Sequence, residues 1–192
     1  MRRPHGVVVA SKNEDKIAEV EALLAALDPS IVVIPGHSWA EIDETEDTLA
    51  GNALLKARAV VAATGHAAVA DDTGLEVDAL DGAPGVQTAR YAGANATYDD
   101  NVDKLLAALT GVADRTARFR TAVALVTPSG EELVVEGVLE GSIATGRRGT
   151  GGFGYDPIFE VDGRTLAEIP TEEKNRISHR ALALHALANA LS

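Results

Sequence analysis

Asp71-Asp72-Thr73-Gly74 follows the apolar run Ala67 to Ala70, so two adjacent carboxylates are expected where a buried strand ends. Neighbouring acids repel, and placing them beside a core costs free energy unless a cation or hydrogen bonds compensate. Mg2+ suits that task, since it prefers carboxylate and phosphate oxygens. A carboxylate beside bound metal can also orient or deprotonate a water. The competing reading is an Asx-type turn that satisfies local N–H groups.

Four further clusters could serve the same chemistry. Ser11-Lys12-Asn13-Glu14-Asp15-Lys16 joins a predicted strand to a predicted helix. Amides at a helix start attract anions, and Ser11, Asn13 and Lys16 add donors and a charge. The glycines of a Walker A loop are absent. Glu44-Thr45-Glu46-Asp47-Thr48 precedes Asn52 and Lys56, which lie four apart on one helix face. Lys56 could reach a phosphate while a carboxylate before the helix holds a metal; the plainer reading is an acidic first turn facing the helix dipole. Gly151-Gly152-Phe153-Gly154-Tyr155-Asp156-Pro157 sets two of only seven aromatic residues among glycines. That suits an aromatic stacked on a base, or else a strained turn with two core aromatics. Lys174 and Ser178-His179-Arg180 place cationic or switchable side chains at the start of the last predicted helix, suited to an anion or a base carbonyl.

The elements that must position these clusters follow from apolar spacing. Val7 to Ala10, Ile31 to Ile34 and Ala67 to Ala70 read as strands. Ile17, Val20, Leu23, Leu24 and Leu27 mark one helical face. A second helix spans about Thr48 to Thr64, capped by Thr48 or Asp47. Gly82-Ala83-Pro84-Gly85 is a turn signal and Val102 to Leu109 a helix. Ala117 to Val126 and Leu133 to Leu139 form a hairpin around Pro128-Ser129-Gly130. Tyr155 to Val161 reads as a strand, and Ile177, Ala181, Leu184, Ala188 and Leu191 as the inner stripe of a final helix. This pattern predicts an α/β fold with parallel and antiparallel pairs, in which ligands collect beyond the carboxyl ends of strands.

Composition limits the alternatives. The chain has 192 residues, 46% of them hydrophobic, and a formal net charge of −12. One domain with a sizeable core is expected. The acidic balance argues against nucleic acid, whose phosphates need Lys and Arg. With no cysteine, disulfides, thiolate zinc sites and cysteine nucleophiles are excluded. The apolar run after Met1-Arg2-Arg3-Pro4 is too short for a signal-peptide core, and no stretch approaches the ~20 apolar residues of a membrane span. A cytoplasmic enzyme or binding protein, with no membrane partner, is the expectation.

The order and wording of the clusters carry more than each alone. Ala10-Ser11-Lys12-Asn13 through Lys16, Glu44-Thr45 with Asn52-Ala53 and Lys56-Ala57, Ala70 to Leu75, Pro84-Gly85 leading to Ala89-Arg90-Tyr91-Ala92-Gly93, Gly152 to Pro157, and Ser178-His179-Arg180 closely resemble the inosine triphosphate pyrophosphatase family, the dITP/XTP pyrophosphatases. The resemblance runs from about residue 7 to 190. It implies a long curved mixed β-sheet flanked by helices, one domain of two lobes with the active site in the cleft between them, and a homodimer. It implies a Mg2+-dependent enzyme that hydrolyses non-standard purine triphosphates (dITP, ITP, XTP) to the monophosphate and pyrophosphate. By the same analogy Ser11, Lys12, Asn13, Glu14, Asp15 and Lys16 wrap the triphosphate. Glu44 and Asp72 bind Mg2+, with Asp72 the general base, and Thr73 touches substrate. Phe153, Gly154, Tyr155, Asp156, Lys174, His179 and Arg180 hold the nucleoside. Lys16, Lys56 and Lys174, all within motifs, are expected to offset phosphate charge. Thr73 stands where the family usually has Ser, Leu49 where an aromatic is common, and Gln87-Thr88 where Tyr-Ser is usual; none removes a charge the chemistry needs.

Two other readings are weaker. A pyrophosphatase of the septum-formation-protein type, acting on modified pyrimidines, carries a Ser-rich, Arg-Arg first loop that Ser11-Lys12-Asn13 does not match. A catalytically silent nucleotide binder has no need of paired acids beside phosphates. Base choice is expected to follow hydrogen-bond polarity: His179 and Arg180 at a helix N-terminus make a donor-rich pocket, suited to a 6-carbonyl and unsuited to the amino group of adenine.

Overall fold

The computed structural model describes Met1 and residues 3–191. In chain order the elements are β1 (Gly6–Val9), α1 (Glu14–Leu27), β2 (Val32–Val33), α2 (Leu49–Thr64), β3 (Ala67–Val77), β4 (Pro84–Gly85), α3 (Tyr98–Ala108), β5 (Thr116–Val126), β6 (Glu132–Ile143), β7 (Phe159–Val161), β8 (Arg164–Thr165), α4 (Thr171–Ile177) and α5 (His179–Ala190). The strand order is β2-β1-β3-β5-β6-β7-β8, with β4 paired to β3. β1 runs parallel to β2 and β3, whereas β3–β4, β6–β7 and β7–β8 are antiparallel. The sheet is therefore mixed and the class α/β, as the alternation of elements predicts.

The chain divides into two compact units. The first comprises residues 1–72, 121–137 and 179–192. Its core joins Val7 and Val9 of β1, Val69 of β3, Val123 and Leu125 of β5, Leu23 and Leu24 of α1, and Leu184 and Leu187 of α5. The apolar runs of β1 and β3 are those of strands covered on both faces. Gly137 on β6 lets α5 approach, because a Cβ there would run into the carbonyl of His179 and the amide of Ala183. The second unit comprises residues 73–120 and 138–178. Leu75, Val102, Leu105, Phe119, Phe159 and Leu166 form its core, with the Phe119 and Phe159 rings 4.6 Å apart.

Several boundaries differ from expectation in ways that matter for the site. The strand predicted over Ala67 to Ala70 continues to Val77, so Asp71 and Asp72 lie within β3 and not in a turn after it. The Asx-turn reading therefore falls. The extra length comes from Leu75 and Val77, both buried, which extend the apolar pattern beyond the acids. The region predicted as a strand from Tyr155 begins as one only at Phe159, after a run of turns. The last helical stretch is two helices, since Ser178 leaves helical space at φ −63° and ψ 152°. His179 thereby opens a helix of its own, as expected.

Candidate active site

Local chain chemistry sets the first unit's polar cluster. Asn13 caps α1 with its side chain, accepting from the Lys16 amide at 3.2 Å, and Ser11 Oγ accepts from the Asn13 amide at 3.2 Å. Capping directs the first turn of α1, with its amides and positive dipole end, toward one place. Thr48 caps α2 in the same manner through the Gly51 amide, which fixes where Asn52 and Lys56 emerge one turn apart.

Lys56 Nζ lies 2.7 Å from Glu44 Oε1 and 3.3 Å from Asp72 Oδ1. Asn52 Nδ2 donates to Asp72 Oδ2 at 3.2 Å, while its Oδ1 accepts from the Glu46 amide at 3.0 Å. The buried amide of Asn52 thus ties the segment that bears Glu44 to the strand that bears Asp72. Asp71 faces other partners: Lys16 Nζ at 3.2 Å and Arg180 Nη2 at 3.1 Å. Arg180 also pairs with Glu19.

The two adjacent acids are tuned in opposite directions. Burial alone would raise the Asp71 carboxyl, but Lys16, Arg180 and Lys56 together hold it well below the ordinary carboxylate range. Burial raises Asp72 as well; Lys56 opposes this, Glu44 reinforces it, and the net direction is up. Burial would lower the Lys56 ammonium, yet Asp72, Glu44 and Asp71 carry it above its ordinary value. Of the two acids Asp72 is the stronger base, and Asp71 is a fixed charge.

Glu44 and Asp72 present oxygens to a single cationic atom, the Lys56 Nζ. An all-oxygen donor pair that already converges on a positive charge fits Mg2+, which takes one or two carboxylates and completes its shell with phosphate and water. Among the described residues no group of three or more His, Asp or Glu side chains is placed to hold a metal.

The second unit carries its own cluster. Asp156 Oδ2 accepts from Lys174 Nζ at 2.7 Å and from the Phe153 amide at 2.9 Å. Lys174 Nζ also stands 5.2 Å from the centroid of the Phe153 ring. Gly152 holds φ at +69°, and a Cβ on it would run into Asp156 Oδ2, so only glycine admits this turn. Phe153 is half-buried and Tyr98 tilts against it at 5.9 Å. A flat, half-buried ring above an ammonium and a buried carboxylate can stack on a planar heterocycle.

Tyr155 is a core residue whose hydroxyl donates to the Thr88 carbonyl at 3.0 Å; burial also raises that phenol. Its side chain therefore braces the loop. Lys12 pairs with Glu41 at 2.8 Å on the surface, and Glu14 and Asp15 are exposed acids in the first turn of α1. The Glu14 and Asp15 side chains suit the helix dipole. Thr73 follows Asp72 on β3, half-buried. Gly154 holds a positive φ of 63°. His179 is buried, with Nδ1 2.5 Å from the Thr121 hydroxyl. The Arg180 guanidinium is 2% exposed and pairs with Asp71 and Glu19. Glu19 and Thr121 carried no signal in the sequence: Glu19 reads as an ordinary helix charge and Thr121 as a strand residue.

Residues 7–190 match the model of the Ham1 family. The chain is similar to a dITP/XTP pyrophosphatase of Methylococcus capsulatus, 47% identical over 100% of this chain and 97% of that protein. It is also similar to one of Symbiobacterium thermophilum, 50% identical over 93% of this chain and 90% of the relative. A solved HAM1 protein from Coxiella burnetii shares the fold with a TM-score of 0.86 and 45% identity, covering 97% of this chain and 98% of that one. With the match running almost end to end, the chain belongs to the Ham1 family.

Proposed function

We infer that this protein is a nucleoside-triphosphate pyrophosphatase that hydrolyses non-standard purine triphosphates, dITP, ITP and XTP, to the monophosphate and pyrophosphate. The observation that carries the mechanism is the divided tuning of Asp71 and Asp72 beside Lys16 and Lys56. The relatives' activity as dITP/XTP pyrophosphatases supplies the substrate class.

In the proposed reaction a water attacks the α-phosphorus, the bond from that phosphorus to the bridging oxygen breaks, and pyrophosphate leaves with the bonding pair. Asp72 accepts the water's proton, and Asn52 keeps that carboxylate in place. Lys16 and Lys56 offset the charge that builds on the phosphate oxygens, together with the amides at the start of α1. Mg2+ held by Glu44 and Asp72 would neutralise the departing pyrophosphate and help align the chain of phosphates. Thr73 touches substrate. Phe153 stacks on the base, with Asp156 and Lys174 shaping its edge and His179 contributing a polar contact. We assign the whole chain to one domain, since β3, β5 and β6 each contribute residues to both compact units. A homodimer, a cytoplasmic location and the absence of a nucleic-acid partner belong to the same proposal. No described helix is long and apolar enough to cross a membrane.

The metal requirement has a direct check. With ITP as substrate, EDTA is expected to abolish pyrophosphate release and added Mg2+ to restore it. Glu44→Gln is expected to raise the Mg2+ concentration needed for half-maximal rate by about tenfold, the usual scale for losing a charged ligand contact. Turnover that ignores EDTA would remove the metal from the mechanism.

A further inference from the structure

The backbone and the ring of Phe153 are held by different neighbours. Its amide donates to Asp156 Oδ2 at 2.9 Å, which fixes where the side chain leaves the chain. That bond does not fix how the ring is turned, since the side-chain torsions are still free to choose among rotamers. The ring is turned by what touches it. Lys174 Nζ stands 5.2 Å from its centroid and is itself engaged by Asp156 at 2.7 Å. The Tyr98 ring lies against it with centroids 5.9 Å apart and planes tilted by 36°, within the range of favourable aromatic pairs.

Tyr98 is well placed to be the fixed partner. It is the first residue of α3, directly after Thr97. The Thr97 side chain accepts from the Asp100 amide and the Asp100 carboxylate accepts from the Thr97 amide, a reciprocal cap that sets the backbone on either side of Tyr98. Arg147, on the segment leading to Phe153, reaches the same helix: it pairs with Asp103 at 2.8 Å and with Asp99 at 3.4 Å. Those two carboxylates are 71% and 86% exposed, and ion pairs so open to water contribute little. The ring contact is therefore the stronger tie between α3 and Phe153. Tyr98 is also 43% exposed and stands outside the core of the second unit, so core packing does not account for its position.

We propose that Tyr98 is a positioning residue for the base: its ring holds the Phe153 ring in the orientation on which a purine stacks. A Phe153 ring without this neighbour would have to be ordered by the base itself, and that loss of rotamer freedom would weaken binding. The effect of Tyr98 passes through Phe153 and concerns the base, not the phosphates. The inference takes its ligand class from the pyrophosphatase reading, and a binding measurement without turnover separates the two.

The test is titration calorimetry with IMP, and with pyrophosphate as a ligand that has no base, on wild type, Tyr98→Ala, Tyr98→Phe, Phe153→Ala and the Tyr98→Ala/Phe153→Ala double variant. Thermal melts show that the variants are folded; Tyr98→Ala is expected to melt close to wild type, because the residue is exposed and Ala suits a first helical turn. Tyr98→Ala should raise Kd for IMP about fivefold, the scale of one lost aromatic pair. Tyr98→Phe, which keeps the ring, should stay within about twofold of wild type. In the Phe153→Ala background, Tyr98→Ala should add less than about twofold, and Kd for pyrophosphate should not move. In turnover of ITP, Tyr98→Ala should raise KM by a similar factor with kcat nearly retained. Wild-type protein that binds IMP but releases no pyrophosphate from ITP would sink the pyrophosphatase reading and leave this inference standing. A wild type that does not bind IMP, an unchanged Kd for IMP in Tyr98→Ala, the same loss when Phe153 is already absent, or an equal loss of pyrophosphate binding would overturn the proposal.

Discussion

At the level of single residues, Asp71 and Asp72 are adjacent yet face different charges. Side chains alternate faces along a strand, so neighbours on β3 meet different elements: Asp71 meets α1 and α5, Asp72 meets α2. The same alternation explains why one carboxyl is held low and its neighbour is raised. Asp72→Asn should therefore abolish pyrophosphate release. It should not lower the melting temperature at neutral pH, because a carboxyl whose folded value lies above its unfolded value contributes stability below the unfolded value and loses it as pH rises. An Asp72→Asn protein that keeps a sizeable share of turnover would show that Asp72 is not the base. Lys56→Ala should reduce kcat/KM by roughly 10- to 150-fold, equivalent to about 1.5–3 kcal/mol for a charge-assisted contact; unchanged kinetics would take Lys56 out of the site. The type of each acid was legible in the sequence. The opposite tuning of the two was not, since it depends on Lys16, Lys56 and Arg180, the last of them 109 positions from Asp71 in the chain.

The elements were read in proportion to how locally they are determined. The caps Asn13 and Thr48 and the apolar faces of α1 and α2 are short-range features, and they stand where spacing puts them. The end of β3 was misplaced because polar residues inside a strand look like a boundary; here they are buried by charges from other elements. The strand expected from Tyr155 was shortened by glycines and by Asp156, whose carboxylate binds the Phe153 amide and curls the chain. That loop gives a prediction at its own scale. Gly152→Ala places a methyl against the Asp156 carboxylate at a positive φ and should displace Phe153 and Lys174 together. KM for ITP is expected to rise at least tenfold, with a loss of about 1–3 kcal/mol in stability. A variant with wild-type KM and melting temperature would show that the loop does not seat the base.

For the molecule as a whole, class and sheet type were evident from alternating elements, while the partition into two compact units is set by contacts far apart in sequence. Charge balance also acts at this scale. The chain carries 29 acidic and 17 basic side chains. Buried Asp71 has its folded value depressed, so the stability it supplies is present above the unfolded value and disappears as pH falls through the acid range. Circular dichroism should show a fold that is flat near neutrality and is lost on acidification below about pH 4, where carboxylates protonate. Asp71→Asn should flatten that acid limb while lowering the neutral melting temperature; an unchanged acid limb would show that the buried network does not set it.

The central claim is pyrophosphate release from a deaminated purine triphosphate, and one substrate panel tests it most directly. Purified protein with Mg2+ is given dITP, ITP, XTP, ATP, GTP and modified pyrimidine triphosphates, and monophosphate, pyrophosphate and orthophosphate are quantified for each. Equal amounts of monophosphate and pyrophosphate are expected from dITP, ITP and XTP, with no orthophosphate and with kcat/KM for ATP lower by up to ~10^4-fold, the scale of a mismatched hydrogen-bond edge. Orthophosphate as the product, equal kcat/KM for ATP and ITP, or a preference for modified pyrimidines would contradict it.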